Sequence, residues 1–326
     1  MHPPADPPDL ATDPPSPEIA PPPAAAPPPT PPSARVATVW VEAGGGRDET
    51  ACAGKVVWRR GRAIGRGSYG EVYSALDVAT GHLFAAKVLT LNVSRGLDKA
   101  LESVNHEISV MEGLVHPHIV QYLGSSFDVD AATLTIFMEH CPHGSVSHLL
   151  DQMGPLDEPV VVRYTQQLLS GLAFLHSRRI AHRDVKCANL LIGPDGVVKL
   201  SDFGVSKQLK SVATMAGEFR TIAGSPCWMA PEVMRGEKTG HGRSADVWSV
   251  GCCVIEMRAG KPPFSEADNP VQVLFQVGMQ KIPPPIPDTL STVGAAFVRQ
   301  CCQFQPQDRP SSQQLLEHDF LRRDAP

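Results

Sequence analysis

Long hydrophobic runs are missing from this chain of 326 residues. The longest nearly apolar stretch, Val247 to Met257, falls well short of the roughly 20 residues that cross a bilayer and reads as a buried helix. The first ten residues, MHPPADPPDL, lack a basic region followed by an apolar run, so no signal peptide is expected and a cytoplasmic protein is. Positive charge is not in excess either. With 29 Lys+Arg against 34 Asp+Glu, nothing global favours nucleic acid or an anionic membrane surface as a partner. Cysteine is present eight times, yet no two cysteines are spaced by the two to four residues that clip a metal. The adjacent pairs Cys252-Cys253 and Cys301-Cys302 lie in apolar, helical-looking segments and are expected to serve as small buried side chains.

What the chain does have, at its start, is proline. Fifteen of 32 prolines fall in the first 32 residues, a composition that cannot bury enough apolar surface to offset ordering entropy. Residues 1–55 are therefore expected to be a disordered arm and linker. Such an arm could offer polyproline II to an SH3-type partner, although Arg35 misses the usual spacing after the prolines.

From Val56 the composition changes. VVWRRGRAIG, EVYSAL and HLFAAKVL alternate like successive strands joined by tight turns, the second at 77–81, and start an antiparallel sheet. A helical stripe of Leu101, Val104, Ile108 and Met111 follows within 98–114, with Glu107 on its inward edge. Further strands are expected at 119–126 and 133–139, and beyond Gly144 the pattern is mostly helical.

Gly65-Arg66-Gly67-Ser68-Tyr69-Gly70-Glu71-Val72 has the glycines that let backbone N–H groups approach phosphate oxygens. Alone it is a weak signal, shared by structural turns and dinucleotide-binding loops. The strand-like Glu71–Leu76 that follows argues against the dinucleotide version, which needs a helix there. Lys87, 15 residues after Val72 in an apolar strand, needs an anion, and Glu107 is the partner expected from the sequence.

The segments Ile180–Leu191, IAHRDVKCANLL, and Leu200–Gly204, LSDFG, place two aspartates 18 residues apart, downstream of the glycine loop and Lys87. Over about 57–321 this set resembles the eukaryotic protein kinases. The resemblance implies an α+β, bilobal fold with a small β-rich N-lobe (about 57–140) carrying one key helix, and a larger α-helical C-lobe (about 144–321). It also implies ATP and Mg²⁺ as cofactors. Asp184 would accept the substrate hydroxyl proton, Lys186 would face the transferred phosphate, as in serine/threonine kinases, and Asn189 and Asp202 would be the metal ligands. Ile64, Gly65, Arg66, Gly67, Ser68, Tyr69, Gly70, Val72, Ala85, Lys87 and Glu107 join the nucleotide-binding set.

The same resemblance makes Met138 the gatekeeper of the adenine pocket. The backbones of Glu139 and Cys141 would bond the base, and Ser145 would face the ribose. His140 and His143 read as solvent-exposed hinge residues. Ser211, Thr214, Thr221 and Ser225 lie on a loop resembling an activation segment, with Arg183 and Lys207 as cations for a phosphate. Thr221 is expected to be the regulatory phosphosite and Ser225 a contact of Asp184. Asp246 would anchor the catalytic loop, Glu232 would pair with Arg309, and Met111, Tyr122, His182 and Phe203 would stack between the lobes. The strings HPHIVQYLG, LTIFMEHCPHGSV, HRDVKCANLL and GSPCWMAPEV are most similar to the mitogen-activated protein kinase kinase kinase group. That implies a MAP kinase kinase as protein substrate. A kinase acting one step further upstream, or a nucleotide-binding scaffold without catalysis, is the alternative, but Lys87, Asp184 and Asp202, the residues such scaffolds lose, are all present.

Overall fold

A six-stranded sheet in the order β1-β2-β3-β4-β6-β5 precedes a helical body. The computed structural model describes residues 39–42, 55–67, 70–90, 108, 111–128, 131–202, 226–237, 242–267 and 269–322. Strands β2 (Lys55–Gly67), β3 (Gly70–Asp77), β4 (Leu83–Thr90), β5 (Tyr122–Asp128) and β6 (Thr133–Glu139) pair antiparallel, as their alternation predicts. Asp77 builds the turn between β3 and β4. Its carboxylate accepts from the Ala79 N–H at 2.9 Å and the Thr80 hydroxyl at 2.6 Å, so the chain reverses within four residues.

Two expectations are corrected. The backbone of Val39–Glu42, within the stretch read as linker, forms β1 and pairs in parallel with Lys55–Trp58. Its sequence, VWVE, is rich in β-formers, and the edge of β2 offers it unpaired backbone groups. The strand expected from 119 starts three residues later. Ile119 instead bridges Leu200 in parallel, with the Val120 N–H donating to the Leu200 carbonyl and the Leu200 N–H to that of His118, both at 3.0 Å. Residues 118–120 are thus backbone-bonded to the larger body before the chain enters the sheet. Of the expected helix over 98–114, Ile108, Met111 and Glu112 are helical, and most of the rest, with Glu107, lies outside the described residues.

The helical body is built on α2 (Glu158–Ser177) and α4 (Arg243–Ala259), with α1 (Val146–Met153), α3 (Pro231–Met234), α5 (Pro270–Leu274), α6 (Thr292–Cys301), α7 (Ser312–Leu315) and α8 (Asp319–Arg322) around them. Helix α4 is buried from Ala245 to Met257, so its apolar run is a core element. Its Gly251 is a contact point: a Cβ there would lie 2.6 Å from Cys302 Sγ, and only glycine lets the end of α6 pack this close. Cys252, Cys253, Cys301 and Cys302 are free, buried thiols, as expected. Glu232 and Arg309, both buried, pair through two hydrogen bonds of 2.7 and 2.8 Å, also as expected.

Candidate active site

Between the sheet and the helical body runs a cleft of about 1280 Å³. Its walls include Ile64, Gly65, Arg66, Val72, Ala85, Lys87, Met138, Glu139, Cys141, Ser145, Asp184, Lys186, Asn189 and Asp202, so residues spread over 139 positions of sequence meet at one place. Ser68, Tyr69, Glu107, Phe203, Lys207, Ser211, Thr214, Thr221 and Ser225 lie outside the described residues. Gly67 and Gly70 are register partners across the end of β2 and β3, and Gly70 is not among the lining residues. Gly70 answers a steric demand besides the one expected, because a Cβ there would stand 2.0 Å from the Val88 carbonyl oxygen. The close approach that excludes a side chain at Gly70 is between β3 and β4.

Lys87 projects from β4 and is 4% exposed, and among the described residues it pairs with Asp202. Burial alone would raise the Asp202 carboxyl, but the Lys87 ammonium outweighs it and holds the carboxyl below the usual carboxylate range. Asp202 still keeps 40% of its side-chain surface accessible and so remains open to the cleft. Its φ of +59° is unusual for a residue with a Cβ, and Arg183, with φ +70°, shares it. Two such positions at one site fit backbone strain held by the surrounding structure.

That structure is a set of hydrogen bonds reaching up from α4. The Asp246 carboxylate accepts the backbone N–H groups of His182 and Arg183 at 2.8 and 2.7 Å, and His176 Nε2 at 2.8 Å. His182 is buried with its ring between two backbone groups, Nε2 at 2.9 Å from the Ser201 carbonyl and Nδ1 at 3.3 Å from the Asp184 N–H. A carbonyl only accepts and an N–H only donates, which assigns the neutral tautomer with its proton on Nε2. Burial lowers the His182 pKa, overcoming the opposing pull of Asp246, and favours the same neutral form.

Asp184 is held from two sides. Asn189 Nδ2 donates to the Asp184 carbonyl at 2.7 Å and to its Oδ2 at 3.0 Å, while Lys186 Nζ lies 3.1 Å from the same Oδ2. Because the Asn189 amide nitrogen must face these acceptors, its Oδ1 is left for another partner. Oδ1 of Asn189 and the carboxylate of Asp202, both on the cleft wall, are the hard oxygen donors that Mg²⁺ prefers, and the pair fits that ion.

At the far end of the cleft, Glu139 closes a clamp that the sequence reading missed. Its N–H donates to the Gln121 carbonyl at 2.9 Å, its carboxylate accepts the Gln121 N–H at 3.2 Å, and Lys199 from the short strand Val198–Leu200 binds its Oε1 at 2.8 Å. The signal available was Lys199 itself, a basic residue inside the apolar string VVKL. Met138 and Lys87 also border a small recess with Met111, Tyr122, Ile136 and Asp202. The Cys141 N–H has no backbone acceptor among the described residues and is free to bond a ligand. The thiol is no nucleophile, since burial and then Glu139 push its pKa to about 12. Ser145 Oγ accepts the His148 N–H at 3.1 Å as the cap of α1 and keeps its own proton for a ligand on the cleft side. His143 is exposed, whereas His140 is half-buried rather than open to solvent.

The family model described as protein kinase domain matches residues 58–321. The chain is 44% identical over 270 residues to mitogen-activated protein kinase kinase kinase ANP1 of Arabidopsis thaliana, covering 82% of this chain and 40% of that one. It is 42% identical to mitogen-activated protein kinase kinase kinase A of Dictyostelium discoideum, covering 82% and 28%. It is also 42% identical to the human mitogen-activated protein kinase kinase kinase 3, covering 81% and 42%. This chain therefore spans less than half the length of each of these relatives.

Proposed function

The chain belongs to the protein kinase family, and from that membership we propose that it is a serine/threonine kinase of the mitogen-activated protein kinase kinase kinase kind. It transfers the γ-phosphoryl group of ATP to aliphatic hydroxyls of a downstream kinase. The observation that carries this reading is the convergence of Lys87, Asp184, Lys186, Asn189 and Asp202 on one cleft. Phosphoryl transfer asks a protein mainly to position its reactants and neutralise spreading charge. Lys87 supplies a buried cation for the nucleotide phosphates and orients Asp202. Asp184, fixed by Asn189 and Lys186, accepts the hydroxyl proton at its carboxylate. Lys186, anchored beside it, offers its ammonium group to the transferred phosphoryl oxygens. Mg²⁺ held by Asp202 and Asn189 would offset the phosphate charge. The N–H of Cys141 and the backbone of Glu139 would take the adenine edge, with the apolar Ile64, Val72 and Ala85 against the ring.

Incubating the purified chain with labelled Mg-ATP and candidate MAP kinase kinases, beside an Asp202→Asn control, tests the proposal. Phosphate on the substrate from the wild type and at least about 100-fold less from the control is expected, the scale on which electrostatic groups act. Equal transfer by both, or none by the wild type, removes the reading. Thr221 is proposed as the phosphosite that raises activity and Ser225 as a contact of Asp184. If Thr221→Ala leaves activity and its response to phosphatase unchanged, the first assignment is wrong. A cytoplasmic location and an SH3-type partner for the proline-rich arm are proposed on sequence grounds; among the described residues no helix is long and apolar enough to cross a membrane.

A further inference from the structure

Directly below the catalytic loop, three side chains with no part in that reading come together in the core. Cys187, which follows Lys186, and Cys253 and Glu256 of α4 are all buried, and one ligand atom from each lies within 4.8 Å of the other two. Cys253 and Glu256 stand three residues apart on one face of α4. Cys187 packs onto them, its Sγ donating to the Cys253 carbonyl at 3.8 Å and its backbone N–H to Glu256 Oε2 at 3.4 Å. The Trp228 indole N–H donates to that same Oε2 at 2.7 Å. Glu256 is 3% exposed, makes no ion pair among the described residues, and receives both N–H donors on one oxygen. Oε1 and two thiol sulfurs are thus gathered at one point in the core, with the Lys186 ammonium, paired to Asp184, as the positive charge nearby.

We propose that Cys187, Cys253 and Glu256 bind a thiophilic divalent cation of the Zn²⁺ class, and that filling this site disables the catalytic loop. Two thiolates and a carboxylate oxygen make a borderline-soft donor set suited to Zn²⁺ or Cd²⁺ and unsuited to Mg²⁺, with water as a fourth ligand. Each thiol releases its proton to solvent as its sulfur–metal bond forms, and Glu256 enters through Oε1 while Oε2 keeps Trp228. Bonds of about 2.3 Å to sulfur and about 2.0 Å to oxygen draw tetrahedral ligands to within about 4 Å of one another. Closing the site therefore requires a movement on the order of 1 Å, and α4, buried over thirteen consecutive residues, is the part least free to move. Cys187 moves, and it lies between Lys186 and Asn189, the two residues that hold Asp184. A misplacement of about 1 Å at reacting groups costs on the order of 100-fold in rate. The turn Pro226–Trp228, whose Trp228 donates to Glu256, is the half-buried neighbour of the site at Cys227 and Trp228.

The rate effect rests on the kinase reading, whereas binding does not, so the two are measured separately. The chelator-treated full chain is titrated with Cd²⁺ in the absence of nucleotide, following sulfur-to-metal charge-transfer absorption in the ultraviolet, for the wild type and Cys253→Ala. Phosphoryl transfer under Mg-ATP is then measured against added Zn²⁺. The expected result is one tight equivalent of Cd²⁺ with the absorption of two thiolates in the wild type and its loss in the variant. Zn²⁺ is expected to lower kcat about 100-fold in the wild type only, from equal starting activities. Superimposable Cd²⁺ titrations of the two proteins overturn the site. A Cd²⁺ difference with no transfer by either protein keeps the site and sinks the kinase reading. Binding with transfer unaffected by Zn²⁺ overturns the switch. Should Cys253→Ala fail to fold, Cys253→Ser, nearer the thiol in size, makes the same comparison.

Discussion

The Asp246 carboxylate receives the backbone N–H of Arg183 at 2.7 Å, across 63 positions of sequence. With the neighbouring His182 N–H at 2.8 Å on its other oxygen, one buried side chain fixes two consecutive peptide groups, the second of them at φ +70°. Asp246 touches no reacting atom. Its work is to hold in place a loop conformation that relaxes if left alone.

Asp246→Ala is therefore expected to cost both stability and turnover. The buried His182 N–H, the part-buried Arg183 N–H and His176 lose their acceptor, and each orphaned buried group costs about 1–3 kcal/mol. A loss of about 3–5 kcal/mol in urea unfolding, with kcat down at least about 100-fold, is the expected outcome. Asp246→Asn, which keeps one carbonyl oxygen, should fall between. A variant with normal kcat in its folded fraction would show that the loop is held by something else.

His182 gives the protein a pH dependence of definite sign. Burial depresses its pKa below the ordinary value of 6.5. Between the two values the unfolded chain takes up a proton that the native ring, with Nδ1 accepting from Asp184 and Nε2 donating to Ser201, does not accept. Stability from this residue is fully present above about pH 6.5 and is lost as pH falls below it towards the depressed value. Melting temperature measured from pH 8 to 5 should fall more steeply for the wild type than for His182→Gln, which is free of this titration. Parallel curves would mean that His182 charges equally in both states.

Lys199 and Glu139 tie the adenine end of the cleft to the strand that leads into Asp202. Lys199→Ala removes the ion pair of 2.8 Å but leaves the Glu139 N–H on the Gln121 carbonyl and the Gln121 N–H on the Glu139 carboxylate. With the pair partly exposed, the loss in overall stability should stay under about 1 kcal/mol. KM for ATP is expected to rise about 3- to 10-fold with kcat little changed, because ground-state and transition-state binding suffer alike. A fall in kcat at unchanged KM would place Lys199 in the chemistry instead.

The sequence reading succeeded where chemistry and spacing are local. Thr133–Glu139 was placed to the residue, the cysteines of α4 and α6 were read as buried, and Lys87, Asp184, Lys186, Asn189 and Asp202, all on the cleft wall, were named in advance. It failed where a partner arrives from elsewhere in the chain. Ile119 has the composition of a strand, yet its backbone is claimed by Leu200. At Gly70 the sequence showed a loop glycine but not the approach of the Val88 carbonyl, which by itself leaves no room for a Cβ. Lys199 is silent until Glu139 is seen beside it. The spacing test that set metal binding aside could not register Cys187 against Cys253 and Glu256, since it takes the fold to bring residues 66 and 69 positions apart into one cluster.

Arg309 and Glu232 provide the sharpest test of how the larger body holds together. The guanidinium spans both carboxylate oxygens, donates further to the carbonyls of Gln303 and Ser244 at 2.7 and 2.9 Å, and lies 5.2 Å from the centre of the Trp248 ring. Removing one partner of such a pair leaves a buried charge uncompensated, and Arg309→Ala should cost about 3–5 kcal/mol. Arg309→Lys should recover less than half of that, because a point ammonium cannot match the two oxygens and two carbonyls together. In the double variant Glu232→Ala/Arg309→Ala the losses should fall well short of additive, since the second change removes the stranded carboxylate. Urea unfolding of the wild type, Arg309→Ala, Arg309→Lys, Glu232→Ala and the double variant decides it. A single-variant loss under about 1 kcal/mol, the range of an exposed pair, would mean that water reaches these groups and that the pair does not hold the body together.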